Sequence, residues 1–207
     1  MPVSRAPSPS ARSAAQRQRA QTRERLLEAG RKLFAERGLH GLTTHDIAAD
    51  AGVAAGTFYL HFKDKAALFR EIAVETIGLL RARLDEATHS ARGARDAVPA
   101  FSEALIAFAE ENRNLVRILF SRDSEAAAVE ADVLNQLAAT IAANRRARIA
   151  SGEMPQDLHP EVLAQALVGL LARVVAWWAE NPGRASRESV VDTLTRIQLQ
   201  GTHPSKH

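Results

Sequence analysis

The stretch AGVAAGTFYLHFKDKAALF, residues 51–69, places Thr, Tyr, His and two Lys side chains among small and apolar residues. It directly follows LTTHDIAAD, residues 42–50, in which Thr43 and Asp46 have the spacing of a capping box. A capping box predicts that a short helix begins there, and Gly52 is suited to end it. The residues after Gly52 indicate which structural motif this helix belongs to.

A third short helix is expected over about residues 54–62, so two helices meet at a turn that contains glycine. Ala48 lies four residues before Gly52, and a small residue there lets the two helices cross closely. Gly52 tolerates the left-handed conformation that the turn needs, and Phe58 fills the space between the helices. The spacing indicates a helix-turn-helix, although plain structural corners between helices share this pattern.

Apolar residues recur at helical spacing along most of the remaining chain. The first helix is expected to begin near Arg19 and end at Gly38, and a fourth to run from about Asp64 to Ala87. Further helices are expected at about residues 96–112, 114–121, 124–150, 161–180 and 186–200. No convincing strand is present, so the predicted fold class is all-α.

The expected domain organisation follows from these helices and from the charge. Residues 1–65 hold 11 Lys and Arg against 6 Asp and Glu, which suggests that this part binds a polyanion. Residues 1–19 contain no acidic residue and are expected to form a disordered basic arm, or simply a solvated tail. We expect a helix-turn-helix domain over residues 20–66, a larger helical domain over 67–202, joined to it by the fourth helix, and a tail over 203–207.

Several function classes are disfavoured by the composition of the 207-residue chain. It has no Cys, which excludes disulfides and thiol chemistry, and we find no run of about 18 apolar residues that would span a membrane. Its 7 His are scattered without a metal-ligand motif, nucleophile elbow or phosphate-binding loop. We therefore expect no catalytic residues, metal or cofactor. A non-specific architectural DNA binder is a further alternative, but it would not need a large second domain.

The stretch LTTHDIAADAGVAAGTFYLHFKDKAALF, residues 42–69, resembles the DNA-binding signature of the tetracycline-repressor (TetR) family. The resemblance covers about residues 22–70, whereas the later half resembles the family only in layout. It implies a cytoplasmic bacterial homodimer that binds double-stranded DNA at a palindromic operator. It also implies a repressor that a small apolar or aromatic molecule releases from DNA, although the sequence alone leaves activation open.

The resemblance and the chemistry of the opening stretch together predict the DNA-binding residues. The third helix would enter the major groove, with phosphate contacts on either side of it. The predicted DNA-binding residues are Thr43, Thr44, Ala54, Ala55, Gly56, Thr57, Tyr59, His61 and Lys65. Phe58, Leu60 and Phe62 are assigned mainly to packing. The family commonly has Ser or Thr where this chain has Ala54, so we expect a recognition helix without a side-chain cap.

The missing cap and the few polar groups on the third helix imply more reliance on phosphates, DNA shape and the basic arm, where Arg12, Arg17 and Arg19 could lie in a minor groove.

In the second domain, wide apolar stripes predict a dimer interface, with the core of a monomer as the alternative. The expected interface residues are Leu163, Leu167, Leu170, Val174, Val190, Leu194 and Ile197. The expected ligand-pocket residues, for which plain core is the alternative, are Ile77, Phe101, Leu105, Phe108, Leu119, Phe120 and Trp177.

Overall fold

The computed structural model of the chain describes residues 9–120, 124–152 and 158–200. Within those ranges the secondary structure is helical and no strand occurs, which confirms the all-α class. The helices are α1 (Pro9–Arg37), α2 (Thr44–Asp50), α3 (Ala55–Phe58), α4 (Lys65–Thr88), α5 (Ala94–Glu111), α6 (Arg113–Leu119), α7 (Ser124–Ala150), α8 (Pro160–Glu180) and α9 (Arg187–Gln200). The chain divides into two compact units, residues 1–72 and 73–207, and the boundary falls within α4.

Helix α1 begins earlier than the sequence pattern predicted. The structure places residues 9–19 in the helix, where a disordered arm was expected, and residues 1–8 lie outside the described residues. This stretch is rich in Ala, Arg and Gln, which are good helix formers, and proline is well tolerated at a first helical position. At its other end α1 stops before Gly38, which has the expected left-handed conformation with φ +72°.

The first unit is built around one apolar face of α1. Phe34 is fully buried and meets the ring of Phe69 edge to face, with 5.4 Å between ring centroids. Gly30 lies so close to α4 that an added Cβ would stand 2.8 Å from a methyl carbon of Leu68. The same core contains the buried side chains Leu26, Leu27, Leu33, Ile47, Phe58 and Ile72. A small residue at position 30 is therefore needed for α1 and α4 to pack together.

Helix α3 is shorter than expected, because it ends at Phe58 and not near Phe62. Both phenylalanines are buried, and the N–H of Phe62 still donates to the Phe58 carbonyl at 2.9 Å, so the chain makes one further turn before α4 begins. That turn carries Leu60 outward, leaving it 70% exposed. The assignment of Leu60 to packing is therefore wrong, whereas Phe58 and Phe62 are core residues as expected.

The second unit is organised around a hydrophobic cluster that we call the α5 cluster. Its buried members are Leu80, Leu105, Ile106, Phe108, Ala109, Leu171, Val175, Trp178, Val190 and Leu194. Helix α5 contacts α9, and α8 contacts α7 and α6. The indole N–H of Trp178 donates to the Ala185 carbonyl at 3.0 Å, which fixes the loop between α8 and α9.

Two residues expected at a dimer interface belong instead to this cluster. Val190 is 4% exposed and Leu194 is fully buried within a single chain, on the side of α9 that packs on the cluster. Neither can reach a second copy of the chain. The apolar spacing correctly indicated a buried stripe on α9, but part of that stripe is buried against α5 of the same molecule.

Helix α8 is long and apolar enough to span a bilayer when only length and composition are considered, which was not expected from the sequence. The core helices of many water-soluble domains have the same properties, so this is weak evidence for a membrane segment. Only 33% of its most apolar window is buried within one chain. The remaining residues of that window are partly or fully exposed within one chain.

Candidate nucleic-acid interface

The start of α2 has the capping box that the sequence predicted. The N–H of Asp46 donates to Thr43 Oγ1 at 3.2 Å, and the N–H of Thr43 donates to Asp46 Oδ2 at 2.8 Å. Thr43 Oγ1 also donates to Asp46 Oδ2 at 2.6 Å. The hydrogen bonds from Thr43 lower the pKa of Asp46 below its ordinary value, and the bond from the Thr43 side chain has the largest effect. Because the Thr43 hydroxyl donates to this carboxylate, we assign Thr43 to positioning α2.

The turn between α2 and α3 depends on a glycine and on a distant arginine. Gly52 has φ +64°, a left-handed conformation that glycine adopts without strain. The Arg25 guanidinium, on α1, donates from Nη2 to the Gly52 carbonyl at 3.0 Å and also to the Ala51 carbonyl. A Cβ added at Gly52 would lie 2.7 Å from that nitrogen. Arg25 therefore holds the turn in place, a role that no local sequence pattern indicated.

The exposed surface of α3 consists of small residues. Ala54 is the N-cap and makes no side-chain capping bond, as its side chain predicts. Ala54 and Gly56 are exposed, while Ala55 and Thr57 are partly exposed. A Cβ added at Gly56 would meet nothing within 4 Å, so the space beside it is open. This surface allows another molecule to approach the backbone closely, with the Thr57 hydroxyl and methyl beside it.

A pair of hydroxyl groups joins the end of α3 to the start of α2. The Tyr59 hydroxyl lies 2.8 Å from Thr44 Oγ1, close enough for a hydrogen bond in either direction. Tyr59 is 55% exposed, and its ring stands edge to face on the buried ring of Phe58 at 5.5 Å. The ring is thus anchored at its base while its hydroxyl points to the surface. Two hydroxyls held together in this way suit a phosphate oxygen.

Positive charge lies near His61, just after α3. Burial is the largest cause that lowers the pKa of His61, and the nearby Arg19 and Arg23 lower it further. Arg23 lies over the Phe62 ring at 5.0 Å and forms an ion pair with Glu71. Arg19 is exposed and donates to the Leu60 carbonyl at 3.5 Å. Both effects favour the neutral form of the His61 imidazole, in a region where the nearby arginines would favour an anion.

Lys65 occupies a different position from the one expected of a phosphate-binding lysine. Its Nζ donates to the Leu39 carbonyl at 3.0 Å and lies 3.5 Å from the Leu42 carbonyl, which ties the start of α4 to the loop between α1 and α2. Asp64 accepts from the Ala67 N–H at 2.7 Å and caps the same helix. The exposed Lys63 is the better candidate for a phosphate contact, although it was not among the residues predicted from the sequence.

The structure brings together most of the residues expected in a ligand pocket. Ile77, Phe101, Leu105, Phe108 and Trp177 belong to the α5 cluster or pack against it. Leu119 and Phe120 are at the end of α6 and are not members of that cluster. No group of three or more His, Asp or Glu residues that could hold a metal occurs within the described ranges.

Comparison with known proteins supports a DNA-binding interpretation of this surface. Residues 26–72 match the sequence model of "Bacterial regulatory proteins, tetR family". The uncharacterized HTH-type transcriptional regulator YdgC of Bacillus subtilis is 29% identical over 156 residues, covering 73% of this chain and 77% of YdgC. The HTH-type transcriptional repressor KstR2 of Mycolicibacterium smegmatis is 39% identical over 75 residues, covering 34% of this chain and 37% of KstR2.

The fold is also shared with solved structures. The crystal structure of the transcriptional regulator FadR from Bacillus subtilis in complex with stearoyl-CoA has a TM-score of 0.70 and 22% sequence identity, covering 87% of this chain and 99% of FadR. The matched region, residues 26–72, contains the whole of the capped α2, the Gly52 turn and α3. Residues 26–72 thus carry the sequence signature of the tetR family of bacterial regulatory proteins, and the chain shares the fold of FadR.

Proposed function

We propose that this chain is a sequence-specific DNA-binding repressor that acts in the cytoplasm as a homodimer on a palindromic operator and is released by a small apolar or aromatic ligand. The observation that carries the proposal is the exposed surface of α3, where small residues leave the backbone open beside Thr57. A short helix with such a surface fits the major groove, in which base edges can be distinguished.

The residues next to α3 support phosphate binding beside it. The hydroxyls of Tyr59 and Thr44 are paired at the end of α3, and His61 and the exposed Lys63 follow in the chain. Because α3 offers Thr57 as its main polar side chain, few direct hydrogen bonds to bases are available. Recognition should therefore depend strongly on phosphate contacts and on the shape of the DNA.

A homodimer is supported by an apolar stripe on α8 that one chain leaves partly uncovered. Leu163, Leu167, Leu170 and Val174 recur at helical spacing and are each partly exposed, and the neighbouring Val162 is 66% exposed. The adjacent side of α8, which carries Ala164, Val168, Leu171 and Val175, is already buried against the rest of the unit. A second copy of the chain packing on this stripe would remove it from water, as in many twofold-symmetric dimers.

A ligand-responsive second unit is supported by the α5 cluster and by the relatives. The cluster includes aromatic residues from two helices, Phe108 on α5 and Trp178 on α8. The relative KstR2 is a repressor by name, and the structurally similar FadR binds stearoyl-CoA, a ligand with a long apolar chain. These observations favour repression and an effector with a substantial apolar part.

The proposed function is tested by titrating the purified chain with the DNA that flanks its own gene and with shuffled DNA at two salt concentrations. We expect the best specific site, from flanking DNA or from selection out of random DNA, to bind at least ~10³-fold more tightly than shuffled DNA. Equal affinity for all DNA, including DNA selected from random sequences, would instead indicate a non-specific architectural protein.

DNA binding should become tighter as the pH falls from about 8 to about 6, because a phosphate near His61 favours the protonated imidazole that the free protein disfavours. The measurement is the dissociation constant for operator DNA across that pH range. His61→Gln should remove most of the pH dependence, whereas the control His89→Gln, in the second unit, should keep it. A His61→Gln variant with the same pH dependence as the original chain would remove His61 from the interface.

Leu167→Asp should convert the dimer to a monomer, because it places a charge in the proposed apolar interface. Leu199→Asp is the matched control on α9, where the side chain is 36% exposed, and it should remain dimeric. Leu194→Ala should instead lower the free energy of unfolding by about 2–5 kcal/mol without dissociating the dimer, because Leu194 is a core residue. Analytical ultracentrifugation and urea unfolding measure these outcomes, and a dimeric Leu167→Asp variant would place the interface elsewhere.

A further inference from the structure

We propose that Arg81 binds the acidic head group of an amphipathic ligand whose apolar part lies against the α5 cluster. This inference rests on the ligand-responsive function proposed above and adds the chemical class of the ligand. The head group would be a carboxylate or a phosphate, since both present a pair of oxygen acceptors to a guanidinium.

The starting observation is that the Arg81 guanidinium has buried donors without acceptors. Its Nε and Nη2 atoms are removed from solvent, and neither has a hydrogen-bond partner in the part of the chain that the structure describes. Burying such donors without a partner is unfavourable, and the cost is larger when the group is charged. These two nitrogens share one edge of the planar guanidinium, which is the edge that an acidic group can bind with two parallel hydrogen bonds.

Three other arginines of the second unit have partners from the protein. Arg83, two residues further along α4, binds both oxygens of Glu111 at 2.5 and 2.9 Å. Arg187 pairs with Glu103, and Arg113 lies over the Trp178 ring at 4.9 Å. Each of these guanidiniums has a partner from the protein, whereas Nε and Nη2 of Arg81 are buried and have none among the described residues.

Arg81 lies on the same face of α4 as apolar residues of the α5 cluster. Successive helical residues are rotated by ~100°, so residues 77, 80, 81 and 84 share an arc of about 100°. Leu80 is a buried member of the α5 cluster, and Ile77 and Leu84 are partly buried against it. A ligand held by Arg81 would therefore have its apolar part directed along the same face of α4. A positive group at the edge of an apolar surface is suited to an amphipathic anion.

The chain supplies its own optical probe for this site. Its 2 Trp residues, Trp177 and Trp178, are adjacent on α8, and both belong to the α5 cluster or pack on it. A ligand that enters the cluster should change their fluorescence. The measurement needs no DNA, so its outcome is independent of whether the first unit recognises an operator.

The test titrates the full-length chain with dodecanoate, dodecyl phosphate and dodecanol at submicellar concentrations and follows tryptophan fluorescence. At least one of the two anions should bind at least ~10-fold more tightly than the neutral alcohol, and the tighter anion identifies the preferred head group. Arg81→Gln should abolish the preference for the anion, whereas the exposed control Arg95→Gln, on α5, should retain it. Equal affinities for the alcohol and both anions, or an unchanged preference in Arg81→Gln, would overturn the proposal.

Thermal unfolding of an Arg81→Met variant and of the original chain, both without ligand, separates ligand binding from a structural role. Because this change removes buried donors that have no partner among the described residues, it should raise the Tm by ~2–4 °C. A lower Tm would mean that Arg81 has a partner within the protein, and this would also overturn the proposal. If the chain recognises its operator but shows no preference for anions, only this inference fails. If it binds the anions through Arg81 but no specific DNA, the proposed repressor function fails instead.

Discussion

The left-handed turn at Gly52 is the constraint on which the proposed DNA-binding surface depends. With φ +64° at this residue, the chain turns within the four residues 51–54, and α3 begins at Ala55. The Val53 N–H donates to the Ala48 carbonyl at 2.9 Å, and the Arg25 guanidinium donates to the Ala51 and Gly52 carbonyls. Only because both helices are fixed in this way can the hydroxyls of Tyr59 and Thr44 meet at 2.8 Å.

The sequence predicted those features of the first unit that depend on neighbouring residues. The capping box at Thr43, the left-handed Gly52 and the uncapped Ala54 are all local, and all three are confirmed. Arg25 and Lys65 were not anticipated in their observed roles, because each binds carbonyl groups more than 20 residues away in the chain. A long basic side chain has many possible partners, and its choice is decided by the packed fold.

In the second unit, the sequence predicted which residues are buried but not which surface covers them. Apolar spacing correctly indicated that one side of α9 is buried, but it carries no information about which surface covers that side. The structure assigns Val190 and Leu194 to the core of a single chain, while the α8 residues Leu163, Leu167 and Leu170 remain partly exposed. The α8 stripe therefore carries the dimer proposal by itself. The unpartnered donors of Arg81 are likewise apparent only after the helices are assembled.

The proposed DNA-binding surface depends most on Arg25 holding the Gly52 turn, and amide hydrogen exchange tests that role directly. Exchange in peptides covering residues 51–62 would be compared between the original chain, Arg25→Met and the control Arg31→Met, an α1 residue that pairs with Glu24. We expect Arg25→Met to accelerate exchange in this segment by ~10-fold, since it loses hydrogen bonds from a charged donor, while Arg31→Met leaves it unchanged. Unchanged exchange in Arg25→Met would show that the turn forms without Arg25 and would contradict this central role.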